Sequence, residues 1–185
     1  MLVLASKSPR RQQILRNAGI PFVVRTADVA EQRRPAESPV EYVRRLAEEK
    51  ASAVAMAADE VVLGADTVVV VDDQVLEKPR DEADARRMLA LLSGRAHQVI
   101  TGVCLRNAAS VIVESAATRV HFAALTPDEI AGYARSGEPM DKAGAYAIQG
   151  LASKFIDRME GDYFNVVGLP IALVYRLLVD HSLLH

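Results

Sequence analysis

The pattern of apolar and polar positions divides the chain into short strands and amphipathic helices. The longest apolar run covers residues 61–71, where every residue except Asp66 and Thr67 is aliphatic or glycine. A run of this length that is rich in β-branched residues predicts a central strand buried on both faces. Gly64 within it indicates a β-bulge or the close approach of a ligand. The pattern therefore predicts a buried strand with one carboxylate at its middle.

Shorter apolar runs predict the remaining strands. Two long strands are expected to pair across the loop 107–110, and a short strand returns after the turn at Asp72 and Asp73. Near the end, residues 155–159 and 163–167 suggest a hairpin around Gly161 and Asp162. The full set of other predicted strands is 2–5, 22–24, 74–77, 97–105 and 111–122.

Capping signals predict the helices. Ser8 followed by Pro9 opens a helix that stops at Gly19, and Asp81 caps another that ends at Ser93. Serine or threonine with glutamate three positions later forms a capping box, which predicts helices from Ser38 to about residue 57 and from Thr126 to about residue 135. Pro170 starts a terminal helix. Residues 136–150 form a long loop of the kind that is usually functional or mobile.

Size and composition narrow the class of protein. The 185 residues suit one domain, or one domain with two lobes, and half of them are hydrophobic. A net charge of −2 and only nine Phe and Tyr residues disfavour a nucleic-acid-binding protein. Cys104 is the single cysteine of the sequence, which rules out an internal disulfide. We expect it to be a buried, inert thiol. The chain has neither a signal-peptide core nor an apolar run near the roughly 20 residues of a membrane span, so we expect a cytoplasmic protein.

Asp66 is the first candidate for chemistry. An ionised carboxylate in a buried strand costs several kcal/mol unless cations, a metal or hydrogen-bond donors compensate it. The structural alternative is an aspartate that caps a helix or turn after a short strand, but apolar sequence continues on both sides of it. A phosphatase nucleophile would be followed by a second aspartate at position 68, where this chain has Val68. We therefore expect Asp66 to have a positively charged partner.

Cationic residues around two helices are candidates for binding an anion. Residues 6–11 place two serines, a lysine and two arginines at a strand-to-helix junction, where free backbone N–H groups attract phosphate. A plain helix start with solvated arginines explains that junction about equally well. Lys50 falls on the apolar face of its helix. The stem of a lysine at such a position usually lies along the core, and less often its ammonium group is aimed at an anion.

The remaining residues favour oxygen ligands over nitrogen or sulfur. The four histidines lack metal-ligand spacing and Cys104 has no cysteine partner, which argues against zinc. No G-x-S-x-G segment is present to hold a serine nucleophile. Carboxylates together with lysine and arginine suit Mg²⁺ or Mn²⁺ bridging phosphate groups.

Six segments, taken together and in order, resemble the Maf family of nucleotide pyrophosphatases. The resemblance covers essentially the whole chain and implies one Maf-like domain over residues 1–185. It implies a mixed α/β fold, with a twisted sheet, flanking helices and two lobes around a deep cleft, as in inosine triphosphate pyrophosphatases. The segments that carry it are residues 6–11, 64–67, 77–79, 93–97, 101–102 and 137–150.

The resemblance also implies a reaction and a substrate. Members hydrolyse a nucleoside triphosphate between the α and β phosphates, and this chain is most similar to the branch that acts on dTTP and UTP. The positions associated with base selection in that branch are Arg10, Thr67 and Gln149. Residues 151–153 contain less glycine than in relatives. A homodimer is an expectation taken from the family alone.

Roles in catalysis follow from the resemblance together with the chemistry above. Asp66 is the expected general base, or the metal ligand that orients the attacking water, with a pKa held low by metal and cations. Glu31 is expected to share the metal. The triphosphate would be held by Ser8, Arg11, Lys50 and Lys78. The rival hypothesis is a regulator of division or septum formation that senses nucleotides without turnover.

Overall fold

The computed structural model describes residues 1–183, in which seven strands form one mixed sheet. The strand order is β2-β1-β3-β5-β6-β7, and β4 pairs with β3. β1 runs parallel to β2 and β3, whereas β3–β4 and β6–β7 are antiparallel. The strands are β1 (Leu2–Leu4), β2 (Phe22–Val24), β3 (Val61–Val71), β4 (Gln74–Leu76), β5 (Ala96–Arg106), β6 (Val111–Phe122) and β7 (Ile156–Glu160). The mixed α/β class is thus confirmed.

Six α-helices accompany the sheet within this described part. The N-caps of the first four are the predicted ones, and both capping boxes are present, from Ser38 to Glu41 and from Thr126 to Glu129. Short 3₁₀ helices occupy Glu138–Asp141, Ala143–Ala145 and Leu151–Phe155. The helices are α1 (Pro9–Asn17), α2 (Pro39–Ser52), α3 (Glu82–Leu92), α4 (Pro127–Arg135), α5 (Tyr163–Val167) and α6 (Ile171–Asp180). No helix within residues 1–183 has the length and apolar character needed to cross a membrane.

The chain divides into two compact units. The first comprises Met1–Thr67, Thr101–Ala116 and the segment from Gly168 onward, and the second comprises Val68–Ile100 and Ala117–Val167. In the second unit, buried residues of β3, α3, β5, β6 and α4 form the core. His97 lies inside this core, with Nε2 2.8 Å from the Tyr146 hydroxyl, and burial lowers the pKa of His97 to about 4. His97 is therefore a neutral core residue.

In the first unit, α2 packs directly on the sheet, and Gly64 explains how. A Cβ at Gly64 would lie 2.1 Å from the carbonyl oxygen of Ala47, so only glycine allows α2 to come this close. Ala47, Ala51 and Cys104 are fully buried at this contact. β3 continues through Gly64, and the group that approaches it is the backbone of α2. The close approach predicted at Gly64 is thus made by the backbone of α2.

The expectation for Cys104 is confirmed. It is fully buried in β5 and unpaired, and burial raises the pKa of its thiol to about 12. A thiol with such a pKa stays protonated and is a poor nucleophile.

The end of α2 differs from its prediction. Helix was expected to about residue 57, because the alanines there favour helix, yet α2 ends at Ser52. Beyond it, one distant and one nearby side chain bind the backbone: Arg25 Nη1 donates to the Ala55 carbonyl at 2.6 Å, and the Glu60 carboxylate accepts from the Ala57 N–H three residues earlier at 2.8 Å. These partners replace the helical hydrogen bonds and let the chain turn into β3.

The predicted hairpin after residue 155 is also wrong. β7 pairs with β6, but residues 163–167 form α5 and not a second strand. Asp162 Oδ1 accepts a hydrogen bond from the Phe164 N–H at 2.8 Å, as at a helix start. The buried Asn165 amide then donates to the Val99 carbonyl at 2.9 Å and to Thr118 Oγ1 at 3.0 Å. The alternating apolar positions that predicted a strand here cannot reveal such contacts, because the contacting residues belong to strands far away in the sequence.

Candidate active site

Asp66 has the cationic partner that the sequence required. It lies in the middle of β3 and is only 7% exposed. Lys50, from the last turn of α2, places Nζ 2.6 Å from Asp66 Oδ1. The Lys50 side chain is itself only 14% exposed. The Lys50 ammonium is thus directed at the Asp66 carboxylate, and its binding of phosphate stays a prediction.

Glu31 joins this pair from the loop between β2 and α2. Its Oε1 lies 2.5 Å from the same Lys50 Nζ, and its side chain is 43% exposed. One ammonium group thus holds two carboxylates that lie 35 residues apart in the sequence. The arrangement places a buried carboxylate and a solvent-accessible one around a single positive charge.

Burial dominates the electrostatics of Asp66. Desolvation raises the pKa of Asp66 above its usual value, although Lys50 and Arg11 act to lower it. The expected low pKa is therefore not produced by the cations of this chain alone. A further positive charge near Asp66 would act in the same direction as Lys50 and Arg11 and lower this pKa.

Arg11 is the centre of a second group of side chains. Its Nε donates to the Gly168 carbonyl at 2.8 Å, Nη1 to Ser6 Oγ at 3.2 Å, and Nη2 to Thr67 Oγ1 at 3.1 Å. Burial lowers the pKa of the Arg11 guanidinium, but an arginine with several acceptors stays charged. These bonds fix Arg11 beside Thr67, the residue that follows Asp66.

The N-terminus of α1 lies at the same place. Ser8 caps the helix by accepting from the Arg11 N–H at 3.4 Å, and the first turn contains no acidic residue. Backbone N–H groups and Arg11 therefore add positive charge without a carboxylate of their own helix to offset it. Arg10, the neighbouring residue in α1, is half-buried.

The predicted residues thus fall into three sets. Asp66, Lys50 and Glu31 meet in one cluster, and Ser8, Arg11 and Thr67 share a hydrogen-bonded network. Lys78 and Gln149 are exposed residues of the second compact unit, after β4 and in the turn before Leu151 respectively.

The Arg11 network includes two further hydroxyl side chains: Ser6 belongs to the predicted anion-binding junction 6–11, whereas Thr101 was not predicted as a site residue. Ser6 accepts from Arg11, and Thr101 in β5 has Oγ1 2.9 Å from Thr67 Oγ1. Thr101 is completely buried. The available signal was a hydroxyl within the apolar run 99–105, where valine or isoleucine would be expected.

Two carboxylates of the cluster are the candidate ligands for a metal ion. Within residues 1–183, no group of three or more His, Cys, Asp and Glu side chains lies close enough to hold one. Glu31 and Asp66 nevertheless bring two carboxylates to one point, at Lys50. Mg²⁺ is usually held by one or two carboxylates together with substrate phosphates and water, so these two residues fit it.

Comparison with known proteins identifies the family. The model of the family described as "Maf-like protein" matches residues 1–181. The chain belongs to the Maf family. Curated relatives of this Maf protein are named dTTP/UTP pyrophosphatase. The protein of Koribacter versatilis (strain Ellin345) is 55% identical over 96% of this chain and 92% of its own, and that of Vibrio cholerae serotype O1 is 53% identical over 96% of both.

A solved structure supports the fold of this Maf protein independently of close sequence similarity. The Staphylococcus aureus Ham1 protein superposes with a TM-score of 0.56, covering 97% of this chain and 98% of its own, at 17% identity. A match at such low identity concerns the fold alone. It places the Maf chain in the same fold class as Ham1.

Proposed function

We propose that this Maf protein is a nucleoside triphosphate pyrophosphatase that hydrolyses dTTP and UTP to the monophosphate and pyrophosphate. The observation that carries the proposal is the meeting of Asp66, Glu31 and Lys50, in a chain that is 53–55% identical to proteins of that name. A buried carboxylate beside a lysine is an arrangement for proton transfer and for binding phosphate.

Asp66 is the proposed general base. Its carboxylate would take the proton from the water that attacks the triphosphate, and the P–O bond between the α and β phosphates would break, so that pyrophosphate leaves. Burial raises the pKa of Asp66 and so makes it a stronger base than an exposed aspartate. Lys50, at 2.6 Å, keeps the carboxylate oriented.

Glu31 and Asp66 are the residues that would hold Mg²⁺ or Mn²⁺. Such an ion, when bound, neutralises charge on the phosphate oxygens and lowers the pKa of bound water. Glu31 is the more exposed of the two carboxylates and can adjust to an incoming ion. Lys50, already within hydrogen-bond distance of both carboxylates, orients them toward one another.

The triphosphate would be bound by the positive groups at the start of α1. The backbone N–H groups after Ser8 and the guanidinium of Arg11 stabilise the negative charge that builds on the phosphate oxygens. Lys78 is proposed as a further phosphate ligand. Arg10, Thr67 and Gln149 are proposed to select the base. The single cysteine suits a reducing cytoplasm.

The test is pyrophosphate release from dTTP, UTP, CTP, GTP, ATP and 7-methyl-GTP, with Mg²⁺, with Mn²⁺ and with a chelator. We expect preferential release from dTTP and UTP that requires the metal and disappears in Asp66→Asn. Binding of nucleotide without release would favour the nucleotide sensor. Release without preference for dTTP and UTP would reject the substrate assignment.

Light scattering on the same sample tests the expected homodimer.

A further inference from the structure

Thr101 places a hydroxyl group where no solvent reaches it. The residue is 0% exposed, in the middle of β5, between Ile100 and Gly102. A buried hydroxyl costs free energy unless it forms a hydrogen bond. Its partner is Thr67 Oγ1, at 2.9 Å. A buried strand position that could hold valine thus carries a hydroxyl in contact with the residue beside Asp66.

Thr67 connects Thr101 to Arg11, because its Oγ1 contacts both side chains. Its Oγ1 accepts from Arg11 Nη2 at 3.1 Å and also lies 3.5 Å from the Gly168 carbonyl, to which Arg11 Nε donates at 2.8 Å. Because Thr67 has one hydroxyl hydrogen, its rotamer depends on which neighbours can donate to it. Thr101 is one of those neighbours. Without it, Thr67 loses one of the contacts that define where its oxygen points.

The backbone around Thr101 cannot easily move to replace that contact. A Cβ at Gly102, the next residue, would lie 2.3 Å from the Val43 carbonyl of α2, so β5 and the backbone of α2 are in direct contact there. α2 also carries Lys50. The Thr101 hydroxyl is therefore held at a fixed point relative to β3 and α2.

We propose that Thr101 is a positioning residue for the pyrophosphatase reaction, acting through the Thr67 hydroxyl on the orientation of Arg11. This inference rests on the proposed function. Thr101 does not touch the nucleotide, because it has no exposed surface. Thr67 is half-buried and reaches the site. The substrate class whose binding depends on this contact is the pyrimidine nucleoside triphosphate.

Two substitutions at Thr101 separate its hydroxyl from its shape. Thr101→Val keeps the volume and removes the hydroxyl, whereas the matched control Thr101→Ser keeps the hydroxyl. Loss of one buried hydrogen bond predicts a fall of about 10-fold in kcat/KM for dTTP in Thr101→Val, and a change within about 2-fold in Thr101→Ser. We also expect the ratio of kcat/KM for dTTP to that for ATP to change in Thr101→Val.

A double-mutant cycle tests whether Thr101 acts through Thr67. If it does, the variant with both Thr67→Val and Thr101→Val is no less active than Thr67→Val alone. Additive losses, or equal kinetics in Thr101→Val and the wild type, would overturn the inference. The inference would also be overturned if the loss of total activity in Thr101→Val matched its loss of folded protein, measured by circular dichroism. In that case kcat and KM per folded molecule and the dTTP to ATP ratio would be unchanged.

A binding measurement keeps this result separate from the proposed function. Calorimetry with a non-hydrolysable α,β-methylene analogue of dTTP should show weaker affinity in Thr101→Val and in Thr67→Val, but not in Thr101→Ser. If the wild type binds the analogue but releases no pyrophosphate, the proposed function fails, and with it the role of Thr101 in the reaction. The order of affinities then decides separately whether Thr101 orients Arg11 for nucleotide binding. A wild type that neither binds nor hydrolyses overturns both.

Discussion

Two carboxylates in the first compact unit have similarly small exposed fractions and opposite pKa shifts. Glu60 and Asp66 are 4% and 7% exposed. Glu60 accepts two hydrogen bonds from Arg25, at 2.8 and 3.0 Å, and one from the Ala57 N–H, at 2.8 Å. The pKa of Glu60 is lowered to about 2, mainly by Arg25. The pKa of Asp66 is raised, because burial outweighs the effect of Lys50.

The difference shows that a small exposed fraction alone does not set the pKa of a carboxylate. Glu60 pairs with an arginine whose side chain is 40% exposed, whereas Asp66 lies deeper, beside a lysine whose side chain is only 14% exposed. Glu60 has both oxygens bound by a planar guanidinium, the geometry that suits a permanent pair. Asp66 faces an ammonium that also contacts Glu31. A carboxylate stabilised so incompletely retains capacity to bind a proton or a cation. Four predictions would sharpen or break this contrast.

Asp66→Asn should have the largest effect, on activity. Loss of a general base lowers kcat by roughly 10²- to 10⁴-fold. The fold should survive, because Lys50 keeps Glu31 as its partner and one buried charge is removed. Pyrophosphate release and the thermal midpoint measure the two effects. A large drop in midpoint with activity per folded molecule retained would make Asp66 a structural residue like Glu60.

Gly64→Ala should lower stability and activity together. The added Cβ overlaps the Ala47 carbonyl, so α2 must move away from β3, and such overpacking costs about 1–3 kcal/mol or more. Lys50 on α2 would then move from Asp66 on β3. The control is Gly132→Ala in α4, where a Cβ meets nothing within 4 Å. Equal thermal midpoints and activities for the two variants would contradict the close packing described at Gly64.

Glu60→Gln should lower stability and leave catalysis intact. The amide cannot accept from both Arg25 nitrogens and the Ala57 N–H, so the segment between α2 and β3 loses support. We expect a lower thermal midpoint with kcat and KM for dTTP unchanged. An altered KM at unchanged stability would place Glu60 in the site and remove the contrast with Asp66.

The smallest expected effect is the pH dependence of the difference in thermal midpoint between the wild type and Glu60→Gln. Because the pKa of Glu60 is about 2 in the folded chain and near 4.5 when unfolded, its stabilisation is complete above pH 4.5 and is lost as the pH falls toward 2. The gap in thermal midpoint between wild type and Glu60→Gln should therefore shrink over this range. A gap that stays constant down to pH 2 would show that the Glu60 charge contributes nothing.

Much of the fold follows from local signals in the sequence. Ser8, Ser38, Asp81 and Thr126 mark helix starts because capping depends on residues only three positions apart. The turn at Asp72 and Asp73 follows likewise, since both adopt positive φ, 46° and 62°, in a two-residue hairpin turn. For the candidate site, the sequence alone showed that Asp66 needed a positive partner, because a buried charge has few stable alternatives.

Only the tertiary structure decided which groups meet. Glu31 and Asp66 meet at Lys50, and Thr101 meets Thr67, although the spacing of these residues in the sequence does not indicate their contact. The same reason explains the wrong predictions for the end of α2 and for residues 163–167. Arg25 binds the Ala55 carbonyl where α2 was expected to continue, and Val99 and Thr118 accept from Asn165 in α5. A hydrogen-bond partner far along the chain can outweigh a weak local preference, and no local pattern reveals it.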